Sequence, residues 1–133
     1  MLPEEFHELG KTLLEEYSTL CKDDTDTLLT EECIFRVIID RFYYSAFLTA
    51  KEWLIQNSCY QSLSENEHAN VRMNLKKCKK LARANNLAGL LNRLRKERNI
   101  ASYHTSGFGY KYTEKYVEEW RITSERFIKN FEI

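Results

Sequence analysis

With 133 residues, 43% of them hydrophobic and 30% charged, the chain is long enough for a single domain over 1–133 whose core needs no staples. No apolar run reaches the roughly 20 residues of a membrane span, and Met1-Leu2-Pro3-Glu4-Glu5 is no signal peptide, so a cytoplasmic protein without a membrane is expected. The formal net charge of zero hides an asymmetry: residues 1–40 carry eleven acids against three bases, and 72–98 carry ten bases against Glu97 alone.

That separation suggests an anionic partner for the basic part, or acidic and basic surfaces that meet within or between subunits. The four cysteines, Cys21, Cys33, Cys59 and Cys78, lie far apart in sequence with no C-x2-C pair. Neither zinc ligation nor a disulfide framework is supported, and free thiols are expected. No metal or cofactor is called for.

Leu2, Phe6, Leu9, Leu13, Leu14 and Tyr17 fall on one side of a first helix, with Pro3, Glu4 and Glu5 suited to its first turn. Asp23 to Thr27 reads as a polar loop, and Thr30 before two acids can cap a second helix of about Glu31 to Asn57. Apolar residues surround much of that helix, from Ile34 to Leu54, so it should be central. Ser45, Ala46, Thr49 and Ala50 form a small-residue band in its middle and leave room beside Tyr43 and Tyr44. Arg41 shares a stripe with Ile38 and Ser45 and needs an anionic partner; a structural salt bridge is the expected one.

Ser64-Glu65-Asn66-Glu67 reads as a capping box for a short, basic third helix reaching about Lys80. His68 opens it, read as an exposed or capping histidine that can also face a site on another helix. A fourth helix should run from Leu81 or Asn86 to Tyr103. The Gly107 and Gly109 turn follows, and Tyr112, Tyr116, Trp120, Thr123, Phe127 and Phe131 give the stripe of a fifth helix. The expected fold is all-α, an up-and-down bundle of four or five helices.

The chemistry concentrates in Leu94 to His104, LRKERNIASYH. Leu87, Leu91 and Leu94 lead to Ala101 at helical spacing, and Arg98 fills the gap in their stripe. An unpaired buried guanidinium costs several kcal/mol. Arg98 therefore snorkels out, meets a buried carboxylate, or lines a cleft where an anion binds. His104 stands six residues on, about 120° away on a straight helix, so the pair converges only if the helix ends near Tyr103 or if a second subunit supplies one group.

The run R-N-x-A-x-Y-H, Arg98 to His104, resembles the R-x4-6-H motif of HEPN domains, helical-bundle proteins of prokaryotic toxin and defence systems. Arg41-Phe42-Tyr43-Tyr44-Ser45-Ala46-Phe47 is similar to the R-x-Y-Y-A-A-F run of that family's central helix, with Ser45 where alanine is usual. The resemblance implies a HEPN-like bundle, a homodimer, and a metal-independent endoribonuclease acting on RNA phosphodiesters as a toxin or defence effector. It makes Arg98 and His104 catalytic and Asn99 an orienting residue; Arg95, Ser102 and Tyr103 in and beside the motif, and Lys76 and Lys80 of the basic segment, are expected to contact substrate. An antitoxin or nucleotidyltransferase partner is implied as well. One toxin subgroup has a tyrosine two residues after the histidine; here Ser106 stands there, so control by its modification is not expected. The alternative is a non-catalytic nucleotide- or protein-binding partner of a nucleotidyltransferase. A third reading, an interaction scaffold, is favoured if an internal carboxylate such as Asp40 caps Arg98.

Overall fold

The computed structural model describes residues 2–20, 31–103 and 113–132, and within them every regular element is a helix. The order is α1 (Pro3–Leu20), α2 (Glu31–Gln56), α3 (Glu67–Lys77), α4 (Ala84–Tyr103) and α5 (Glu114–Lys129). No helix among the described residues is long and apolar enough to cross a membrane.

The all-α expectation holds, and α2 is the central element, packed on each of the other four helices. Its Ile38, Ile39, Phe42, Ala46, Ala50 and Leu54 are wholly withdrawn from solvent. An apolar residue on nearly every side of a helix is stable only when neighbours cover all of those sides. From α4, Leu87, Leu91, Leu94 and Ala101 enter the same core at the spacing that the sequence shows.

Two stripes depart from expectation. In α1 the buried residues are Pro3, Gly10 and Leu14, while Leu2 and Leu9 are exposed. Gly10 takes the contact position because the Phe42 ring lies against it, only 2.8 Å from where a Cβ would stand. In α5 the core line is Val117, Trp120, Ser124, Phe127 and Phe131. Ser124 tolerates burial because its hydroxyl donates to the Phe42 carbonyl at 3.1 Å, whereas Thr123 turns its hydroxyl to the Glu119 carbonyl of its own helix. Tyr112, the first expected member of this stripe, lies outside the described residues.

The helix ends explain how α3 is set. Ser58, at φ 58°, ends α2 in a Schellman motif: its amide donates to the Ile55 carbonyl and that of Cys59 to Leu54. Asn66, not Ser64, caps α3 through its side-chain oxygen on the Ala69 amide, while Ser64 accepts from the Asn66 amide. The expected capping box is thus replaced by a cap two residues later. Buried Asn70 and Asn74 bind the preceding loop: Asn70 accepts from the Leu63 and Ser64 amides, and Asn74 exchanges two bonds with the Gln61 backbone. These bonds tie α3 to that loop, while Val71 and Leu75, both wholly buried, anchor it in the core.

Candidate functional site

Three helices each aim two polar residues, one helical turn apart, at one region. From α2 come Asp40 and Tyr44 with Tyr43 beside them, from α3 His68 and Arg72, and from α4 Arg95 and Arg98. Spacings of three or four put each pair on one helix face.

Arg98 is the hub. Its side chain is 12% exposed, and its Nε donates to Oδ1 of Asp40 at 2.7 Å. One terminal nitrogen donates to the Asn99 side-chain oxygen and the other to the Tyr44 hydroxyl, both at 3.1 Å. The guanidinium also lies over the Tyr44 and Tyr43 rings, 5.0 and 5.7 Å from their centroids. Of the options open to Arg98, the buried carboxylate is the one realised. Its partner comes from α2 rather than from the acidic first helix. Asp40 is itself shared, since its Oδ2 lies 4.0 Å from Nε of Arg41. That separation is an electrostatic contact and no hydrogen bond, and the buried Arg41 Nε has no hydrogen-bond partner among the described residues. One carboxylate thus stands between two guanidiniums.

On the other side of Tyr43 lies His68, which is half-buried rather than exposed. Its ring packs on Phe47 at 4.5 Å, and Nδ1 is 2.6 Å from the Tyr43 hydroxyl. Burial, and then repulsion from Arg95, Arg98 and Arg72, hold the His68 pKa down at about 4. Burial also raises Tyr43 well above the ordinary phenol range, despite those arginines. A neutral imidazole beside a protonated phenol assigns the hydrogen bond: Tyr43 donates to Nδ1, leaving a proton on Nε2. Arg72 is lowered from its ordinary value by burial and by Arg95. One of its terminal nitrogens is buried without a hydrogen-bond partner among the described residues.

The residues expected at the site divide accordingly. Arg98, Asn99 and Arg95 come together, and Asn99 does hold Arg98. Ser102 is exposed and lines a cavity of about 360 Å³ with Asp40, Arg36 and Arg41, where Arg36 donates to the Ala101 carbonyl near the end of α4. Tyr103 ends α4; its side chain and all of His104 lie outside the described residues. Lys76 joins Arg72, Asn85, Gly89 and Asn92 in a groove of about 440 Å³ between α3 and α4. Lys80 is not with them: its ammonium donates to the Asn57 carbonyl at 2.7 Å. Arg72, Tyr43 and Tyr44 are site members that were not expected there, although Arg72's place one turn after His68 points to a shared face. No group of three or more His, Cys, Asp or Glu side chains among the described residues is placed to hold a metal ion.

A second cavity, of about 420 Å³ between α1, α2 and α5, is lined by Glu4, Glu8, Glu125 and Glu132, with Lys129 as the basic residue. Its charge is wrong for a phosphate, so the arginine cluster is the candidate site. Comparison of the chain with protein-family models, curated proteins and solved structures finds no match, and the site stands on its own geometry.

Proposed function

We propose that the protein is a HEPN-type, RNA-binding endoribonuclease that takes a backbone phosphate at its arginine cluster and cleaves it without a metal. The observation that carries this reading is the gathering of Arg72, Arg95 and Arg98 around Tyr43 and His68, where every charge that shifts His68 is cationic. Guanidiniums offer planar donor forks to a phosphate, and their charge opposes the negative charge that develops at phosphorus. Asp40 and Asn99 fix the hub arginine. His68, neutral and bonded to Tyr43, serves as a donor through Nε2 and not as the general acid. That role falls to His104, whose imidazole takes the proton of the ribose 2′-hydroxyl or returns one to the leaving 5′-oxygen.

The test is cleavage of a single-stranded RNA in EDTA. The expected product ends in a 2′,3′-cyclic phosphate, and RNA with 2′-deoxyribose at the cleaved position should resist. His104→Ala and Arg98→Ala, each checked to be folded, should lose about 10²–10⁴-fold in rate. Equal rates for wild type and His104→Ala would overturn the nuclease reading.

The satisfaction of Arg98 by Asp40, Asn99 and Tyr44 favours a second reading, a non-catalytic binding module or interaction scaffold. In that case the same RNA binds, or a protein partner docks, with no strand cut. Binding of the 2′-deoxy analogue together with intact all-ribose RNA would identify it.

A further inference from the structure

Cys59 and Cys78, 19 positions apart in sequence, meet in the fold: Sγ of Cys78 donates to Sγ of Cys59 at 3.4 Å, and Cys59 donates to the Asn57 carbonyl at the same distance. Both thiols are free. Their separation in sequence therefore gave no measure of their separation in space. Each backbone is pinned at a helix end, Cys59 in the Schellman motif of α2 and Cys78 as the C-cap of α3, with its amide on the Leu75 carbonyl. A disulfide needs the sulfurs at about 2.05 Å, against the 3.4 Å at which they stand here. The pair borders a cavity of about 270 Å³ that also receives Lys77, Lys79 and Lys80 and has no acidic residue in its lining.

We propose that Cys59 and Cys78 form a reversible thiol–disulfide site whose oxidant is a small, carboxylate-bearing disulfide drawn in by these three lysines. Cys59 is the more open of the two thiols, Cys78 being 6% exposed, so Cys59 attacks first. Its thiolate displaces one half of the small disulfide as a thiolate and leaves a mixed disulfide on Cys59. The Cys78 sulfur then attacks the Cys59 sulfur and releases the second half. Two electrons pass to the small disulfide, the two cysteine protons end on its two released thiols, and one S–S bond is exchanged for another.

The exchange is slow by construction. Burial and the hydrogen bond with Cys78 raise the Cys59 thiol, and a helix C-terminus opposes a thiolate on either residue. The lysine-lined cavity offsets this by concentrating the anionic oxidant and by favouring the thiolate. Once closed, the bridge ties α3, with His68 and Arg72 on it, to the end of α2. It thereby restricts the unfolded chain over the segment between the cysteines.

The test uses the folded full-length chain with oxidised glutathione as the probe, followed by alkylation of remaining thiols and peptide mass analysis. The expected result is a Cys59–Cys78 linked peptide and a Tm higher by on the order of 10 °C, reversed by dithiothreitol. A Cys21→Ser, Cys33→Ser variant should link equally well. Cys78→Ser should stop at glutathione on Cys59. Reversing Lys77, Lys79 and Lys80 to glutamate should slow linkage by glutathione disulfide more than by a neutral one. Glutathione that remains on Cys59 of the wild type, linkage only in urea, or bridges made through Cys33 would each overturn the proposal. So would rates unaffected by the lysine reversals, as to the oxidant.

Discussion

Arg98 and Asp40, with side chains 12% and 18% exposed, are buried enough for the loss of one charge to strand the other. Each keeps other contacts: Asp40 has Arg41 at 4.0 Å, and Arg98 donates to Asn99 and Tyr44. Asp40→Ala and Arg98→Met should each destabilise by up to about 3 kcal/mol, with the double variant milder than the sum. Urea denaturation of all four proteins measures this, and additive effects would refute the pairing. His68 supplies a pH signature. Its folded pKa of about 4 lies below the ordinary 6.5, so between these values the unfolded chain binds the proton more readily. Stability from the neutral ring is present above about pH 6.5 and is lost as pH falls towards 4. The half-open ring feels part of the shift, on the order of 1–2 kcal/mol. His68→Gln should flatten the wild-type stability profile between pH 7 and 4; an unchanged profile counts against the buried position.

At the level of elements, two glycines on helices predict opposite outcomes. A methyl group on Gly10 would meet Phe42 at 2.8 to 3.2 Å, inside a packed core, so Gly10→Ala should cost about 1–3 kcal/mol. Gly89 has nothing within 4 Å, and Gly89→Ala should stabilise α4 by up to about 1 kcal/mol. Thermal melts of the two variants must move in opposite directions. The same pair marks what could be read in the sequence. The leucines of α4 and the apolar run of α2 announce their buried faces, because hydrophobicity and contact coincide there. The α1 face does not, since its central contact is a glycine, invisible to any count of apolar residues. In α5 a serine lies in the core beside a threonine that faces its own backbone, a choice made by the Phe42 carbonyl on another helix. The Arg98 stripe and its need for a buried carboxylate were legible, with Asp40 open as one such partner; the inward turn of His68 and the meeting of Cys59 with Cys78 depend on the loop between α2 and α3, whose course local patterns do not encode.

Across the molecule the charge asymmetry acquires a direction. Acidic side chains of α1 and α5 line one cavity beside α2, while α3 and α4 pack on each other and hold the basic segment. The groove between α3 and α4 contains Arg72 and Lys76, two asparagine amides and no carboxylate, and the buried Arg72 nitrogen there lacks a hydrogen bond among the described residues. A single-stranded RNA that leaves the arginine cluster along this groove would exchange condensed counterions for those two cations. Each phosphate contact in a single strand contributes about 0.7 to the slope of log affinity against log salt. Arg72→Gln with Lys76→Gln should therefore weaken binding of an uncleavable 2′-deoxy oligonucleotide and make the slope shallower by roughly 1.4. Lys79→Gln with Lys80→Gln, on the separate cysteine-bordered cavity, should leave both quantities nearly unchanged. Gly89→Glu sets an acid into the same open groove without a clash and should repeat the loss of affinity. Fluorescence anisotropy titrations from low to physiological salt decide the matter: a wild-type slope near zero, or equal slopes for the two double variants, would remove the groove from the path of the nucleic acid.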